Sequence, residues 1–286
     1  MVQKSFFGHM IQGSIVNKDG STTIPITIPI GTIRMWDTGA VWFYIDEHGP
    51  GTNWDGFEGF IALGKRLGAE LLYTFGRAPE SQRIRGTMVP TMAAWNTFVL
   101  MVAERASGRI RFWEMWNEPA VASLYWAGGT ISDLVTRARS GYKIIKSLET
   151  DSVVLTPSFN EVLAYGGAFA DQYFRAMNAG SRSADAISFH SYAGTPERVV
   201  AELNSLRAIM KRNNISLPIW CTEVALVGKT QQETAGYLTR IHELLAAQGV
   251  QCVVWNAQIP GAEDYNASTG LGRSYKLVHD RLLASR

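Results

Sequence analysis

Arg111-Phe112-Trp113-Glu114-Met115-Trp116-Asn117-Glu118-Pro119 is an apolar, aromatic run with the composition of a buried strand. Its end is abrupt. Asn117 and Glu118 are expected at the last strand positions, and Pro119 denies the strand another ladder donor. A carboxylate at the mouth of a dry, aromatic-walled strand has its charged form destabilised, so the pKa of Glu118 is expected to rise. That is the preparation a general acid needs. A lone glutamate is more simply read as a helix cap or half of a surface ion pair. Here it has a distant counterpart: Pro218-Ile219-Trp220-Cys221-Thr222-Glu223 is another apolar strand ending in a single carboxylate. Two such strands favour chemistry over packing.

Working outward from this run, short apolar segments alternate with longer amphipathic ones. Strands are expected over residues 6–11, 32–36, 70–75, 110–116, 153–157, 186–192, 219–224 and 251–257. Helical patterns occupy 54–67, 91–106, 131–148, 167–177, 197–213, 231–247 and 274–283. Ser132, Thr195 and Thr230 are candidate caps, and Pro196 suits a first helical turn. Only the first connection, 12–31, lacks a helix; its Thr-Ile-Pro-Ile-Thr-Ile-Pro run reads as extended. No repeat, low-complexity tract or linker marks a boundary, so residues 1–286 are expected to form one domain. Eight strands give about one βα unit per 36 residues, which points to an α/β chain closed as a (β/α)8 TIM barrel. An open doubly wound sheet would carry a Gly-rich turn after its first strand, and Gly8-His9-Met10-Ile11-Gln12-Gly13 is not that turn.

Composition narrows the function classes. Hydrophobic residues at 46% describe a chain with a large core, and charged residues at 18% fall below the ~25% usual for soluble domains. A net charge of +2 without a long basic run argues against nucleic acid or an anionic membrane surface as partner. No stretch reaches the ~18 apolar residues of a membrane span. The N-terminus runs into Ser5-Phe6-Phe7-Gly8 without a hydrophobic signal segment, so the compartment stays undecided: cytoplasmic, or extracellular or periplasmic if a leader has been removed. Cys221 and Cys252 lack metal-ligand spacing and read as buried free thiols, with a bridge between them the alternative and Cys221 sharing the face of Glu223 two residues on. The five histidines are dispersed and no lysine ends a strand, which disfavours an aldolase or a metal-dependent hydrolase. No metal is expected.

In such a barrel the active-site residues stand at the C-terminal ends of the strands. Those ends offer Arg34, Trp36 and Asp37; Tyr73, Phe75 and Arg77; Asn117 and Glu118; Ser158, Phe159 and Asn160; His190 and Tyr192; Glu223; and Trp255, Asn256 and Gln258. Each alone has an ordinary reading: Arg34 as an interior partner of Glu114, Tyr192 as core, Trp255 as packing. Their joint placement is the signal.

These residues carry a resemblance. Trp116-Asn117-Glu118-Pro119, with a second Glu ending a strand three units later, resembles clan A of the glycoside hydrolases, retaining β-glycosidases on TIM barrels. His190-Ser191-Tyr192, Arg34 and Trp255 match that clan's usual active-site set. Tyr73-Thr74-Phe75-Gly76-Arg77-Ala78-Pro79 and Arg34-Met35-Trp36-Asp37 are similar to family 39 and cellulase-like sequences. The resemblance implies Glu118 as acid/base, Glu223 as nucleophile and Asn117 as a partner of the sugar 2-hydroxyl. It also implies substrate contacts from Arg34, Trp36, His190, Tyr192 and Trp255, the last as a platform under the sugar. The implied partner is a β-linked oligo- or polysaccharide, and the implied chemistry is double displacement without a cofactor. Trp42, Tyr44, Asp46, Glu47, His48 and Trp54, with Tyr125 and Trp126, would extend the cleft. A catalytically degenerate carbohydrate-binding barrel is the alternative.

Overall fold

The computed structural model describes residues 2–36, 38–256 and 264–284. Its eight strands are β1 (Phe7–Met10), β2 (Thr32–Met35), β3 (Glu70–Thr74), β4 (Phe112–Glu114), β5 (Val153–Leu155), β6 (Ile187–Ser191), β7 (Ile219–Val224) and β8 (Val253–Trp255). All pair in parallel in the order β5-β4-β3-β2-β1-β8-β7-β6. Parallel bridges Leu155↔Ala186 and Phe159↔Phe189 join the two ends of that order. The result is the expected (β/α)8 barrel.

The helices are α1 (Trp42–Ile45), α2 (Asp55–Leu67), α3 (Met92–Ala106), α4 (Ile131–Leu148), α5 (Gly167–Asn178), α6 (Pro196–Arg212), α7 (Gln231–Ala247) and α8 (Gly270–Ala284). Thr195 and Thr230 cap α6 and α7 as expected, accepting from the backbone N–H groups of Arg198 and Glu233. Ser132 does not cap α4. Thr130 does, in a reciprocal box with Asp133, because its extended backbone turns its hydroxyl onto the first turn while Ser132 is already helical. The connection after β1 has one short turn, Gly13–Ile15, and no α-helix.

Two departures from expectation shape the top of the barrel. First, β4 stops at Glu114, so Asn117 and Glu118 lie beyond its ladder rather than on its last positions. The chain turns there, and Glu118 adopts a left-handed backbone with φ +41°, a strained conformation for a side-chain-bearing residue. The Ser158 hydroxyl accepts from the Glu118 N–H at 2.9 Å and holds the turn.

Second, β7 carries one extra residue. Phe189 pairs with Cys221 but the next residue, His190, pairs with Glu223; on the other side Cys221 pairs with Val253 and Val224 with Trp255. Against β6 the extra residue is Thr222, and against β8 Thr222 and Glu223 together oppose Val254, a β-bulge. Trp220 faces the barrel interior and Cys221 the helix layer. The bulge then turns both Thr222 and Glu223 inward, so Cys221 does not share the face of Glu223, contrary to strict alternation. Both cysteines are free and buried.

Candidate active site

Inside the barrel the side chains are layered. The floor is apolar, with Leu72, Phe112, Leu155, Trp220 and Val254. Above it Glu114 is wholly buried and fully bonded. Its Oε2 accepts from Arg34 Nε (3.0 Å), Arg34 Nη2 (2.6 Å) and Thr74 Oγ1 (2.8 Å). Its Oε1 accepts from Ser188 Oγ and, at 2.7 Å, from Thr222 Oγ1. Burial opposes ionisation of Glu114, but Arg34, His190 and the two hydroxyls outweigh it and hold the carboxyl below its ordinary range.

Arg34 distributes one charge over three partners. Besides Glu114 it donates from Nη2 to Asn117 Oδ1 at 2.7 Å and from Nη1 to Glu223 Oε2 at 2.7 Å. Burial disfavours its charge, and Glu114 and Glu223 more than restore it. The anticipated Arg34–Glu114 pair is thus real, and it is also the anchor of the layer above.

That upper layer holds Asn117, Glu118, His190, Tyr192, Glu223 and Asn256. His190 Nδ1 lies 2.7 Å from Glu118 Oε1 and 3.7 Å from Glu223 Oε2. Asn256 Nδ2 donates to Glu223 Oε1 and to the Tyr192 hydroxyl, both at 3.0 Å. One donor atom from each of Glu118, His190 and Glu223 can be chosen so that all lie within 4.8 Å of one another. Such a trio has the residue types of a metal site, but Glu223 is already paired with a guanidinium and Glu118 with an imidazole. That donor set suits proton transfer better than cation binding.

A cavity of about 390 Å³ opens over these groups, lined by Met10, Ile11, Gln12, Trp36, Asn117, Glu118, Tyr125, Tyr192, Glu223 and Asn256. Trp36 forms one wall, its ring 5.2 Å beneath the Arg77 guanidinium and 5.9 Å from Tyr125, edge to face. Gly76 presses on the same ring: a Cβ there would stand 2.8 Å from it, so only glycine allows the approach.

The barrel brings together Arg34, Trp36, Asn117, Glu118, His190, Tyr192 and Glu223. It does not bring Trp255. Cys252 and Val254 face the interior, so alternation turns Trp255 outward, where it is 2% exposed and meets Tyr237 of α7 at 6.2 Å. The expected sugar platform is a packing residue. Asp37 and Gln258 lie outside the described residues. Trp42 and Trp126 are also packing residues, each 1% exposed, the first stacked on Phe98 at 4.1 Å and the second bonded to Thr130 O. Trp54 donates to Gly51 O and packs against the core.

The expected rise in the Glu118 pKa is not found. Burial does push it up, but the hydrogen bond and charge of His190, helped by Arg34, bring it below the ordinary value. Aromatic neighbours alone suggested a dry, uncompensated carboxyl; a histidine from β6 is what they leave out of account. Asn256 belongs to the site although the sequence marks it only as one of the polar residues ending β8. Its place one alternation step beyond Val254 is the signal that identifies it as inward-facing.

A glycosyl hydrolase catalytic core model matches residues 64–275. The chain belongs to that family. No curated protein matches it. This glycosyl hydrolase is similar in structure to a glucosidase from Croceicoccus marinus, with TM-score 0.79 at 14% identity, covering 97% of this chain and 68% of the other. A family 39 glycoside hydrolase from Bacteroides cellulosilyticus gives 0.72 at 15% identity, covering 99% of this chain and 65% of that one. An alpha-L-arabinofuranosidase from Thermotoga maritima gives 0.66 at 12%, covering 98% and 70%. The chain thus spans about two thirds of the length of these neighbours, and at such identities the likeness is one of fold. The glycosyl hydrolase family implies a carbohydrate substrate. Among the described residues no helix is long and apolar enough to cross a membrane.

Proposed function

We propose that this glycosyl hydrolase cleaves β-linked oligo- or polysaccharide with retention, by double displacement. The observation that carries the reading is that one oxygen of Glu118 and one of Glu223 lie within 4.8 Å of each other, which favours the closer of the two known arrangements. Retaining enzymes hold their carboxyls about 5–5.5 Å apart, whereas inverting ones leave about 6.5–9.5 Å for a water. Glu223, fixed by Arg34 and Asn256, is the nucleophile, and Glu118 is the acid/base.

In the first step the Glu118 proton passes to the glycosidic oxygen while a Glu223 oxygen bonds the anomeric carbon and the C–O bond breaks. In the second, Glu118 takes a proton from water, whose oxygen attacks the anomeric carbon and releases Glu223. Glu118 must enter the first step protonated. A seated sugar excludes the water still reaching it and raises its pKa towards that state. Asn117, oriented through its Oδ1 by Arg34, leaves its amide N–H groups to face the sugar 2-hydroxyl. Trp36, not Trp255, supplies the aromatic wall. The motifs shared with family 39 favour that relationship within the clan.

A catalytically degenerate binding barrel would have no need to keep two carboxyls so close. Incubation with a panel of aryl β-glycosides, with proton NMR of the first-formed sugar, tests the proposal. Release of the β-anomer is the expected result; initial α-anomer, or full turnover by Glu223→Ala, would refute it.

A further inference from the structure

Beside the catalytic cavity lies a groove of about 420 Å³ walled by Phe43, Tyr44, Met88, Leu124 and Tyr125, with Arg83 at its edge. Its volume falls within the roughly 300–1,000 Å³ of small-molecule sites. The loops after β2, β3 and β4 build it, all at the barrel end where the paired glutamates stand. Phe43 is 49% exposed, Tyr44 39% and Leu124 59%. Three large apolar side chains left open in one patch mark a binding surface more than ordinary packing.

Two features say what covers it. Tyr125 lines both the groove and the catalytic cavity, and its ring meets Trp36, so one aromatic wall runs from Glu118 into the groove. The polar edge is a donor: Arg83 is braced by its Nε on Ala78 O at 2.6 Å and its Nη1 on Met88 Sδ at 3.1 Å. A surface of aromatic faces with guanidinium donors suits a sugar, which presents apolar C–H faces and hydroxyl acceptors at once.

We infer that this groove is a second sugar-binding subsite, taking units of the same saccharide beyond the bond to be cleaved. The inference rests on the hydrolase reading above and narrows its substrate to chains longer than a disaccharide. Covering a half-exposed phenylalanine is worth about fivefold in affinity.

Phe43→Ala and Leu124→Ala, neither lining the catalytic cavity, are compared with the parent on 4-nitrophenyl β-glycosides and on tetrasaccharides of β-linked glucose, xylose and mannose. Each variant is expected to lower the ratio of tetrasaccharide to aryl-glycoside kcat/KM about fivefold; an unchanged ratio overturns the subsite. Calorimetric titration of the same tetrasaccharides into Glu118→Gln protein, with and without Phe43→Ala, gives a readout independent of turnover. Weakening by about fivefold supports the groove, and equal affinity, or no binding of any tetrasaccharide to Glu118→Gln, overturns it. Absence of hydrolysis by the parent protein would instead refute the hydrolase reading and leave the binding comparison decisive for the groove.

Discussion

His9 and His242 should make the fold acid-sensitive well above the range in which its carboxylates titrate. Both are buried between the barrel and α7 and α8, and burial pushes each imidazole down to about 4 from an ordinary 6.5. His242 stacks on Phe7 at 6.0 Å and meets Tyr275 edge-on; His9 packs against Tyr265 and Tyr275. Among the described residues neither imidazole has a carboxylate partner. Between pH 6.5 and 4 the unfolded chain binds these protons and the folded one does not, so stability is complete above about 6.5 and falls as pH drops through the window. At pH 4.5 the difference amounts to roughly 2–3 kcal/mol for each histidine, so several kcal/mol for the two together. That is a large part of the 5–15 kcal/mol typical of a domain. The assay is urea unfolding at pH 7.0 and pH 4.5, followed by tryptophan fluorescence. His242→Phe keeps the stacked ring without the titrating nitrogens and should lose roughly 2–3 kcal/mol less than the parent between the two pH values. Equal losses in variant and parent would refute the reasoning.

Other expectations concern the site. Glu223→Ala, removing the proposed nucleophile, should lower kcat by roughly 10⁴-fold or more on any aryl β-glycoside that the parent cleaves. His190→Ala removes the hydrogen bond and charge that hold Glu118 down. The basic limb of its kcat/KM profile should therefore move to higher pH, and an unmoved or lowered limb counts against Glu118 as the acid. Arg34→Met strands the buried Glu114 carboxylate, which should cost about 3–5 kcal/mol in a chemical-denaturation curve.

Much of this architecture was legible because parallel strands buried on both faces write themselves as continuous apolar runs. Each expected strand appears, cut back by one to several residues except β7, since pairing ends before the apolar composition does. The paired glutamates were legible as abrupt polar ends to such runs. Trp255 and Trp42 lie buried rather than in the cleft, because composition cannot say which face of a strand or loop an aromatic occupies. The lowered pKa of Glu118 is not legible in the sequence for a related reason. His190 is 72 residues away in the chain, and only barrel closure brings them within 2.7 Å. The orientation of Cys221 failed because a bulge leaves no mark in residue type.

Thr222 and Glu223 are successive residues of one strand that serve two storeys of the barrel: Thr222 grips the buried Glu114 below while Glu223 stands in the open site above. A single peptide unit therefore ties the depth of the nucleophile to the interior scaffold. Changing the grip, as Thr222→Val would, should be felt one residue later as a displaced attacking oxygen. Grafting this nucleophile onto another barrel would require transferring the irregular strand whole, since a regular strand of the same composition would aim one of the two side chains into the helix layer.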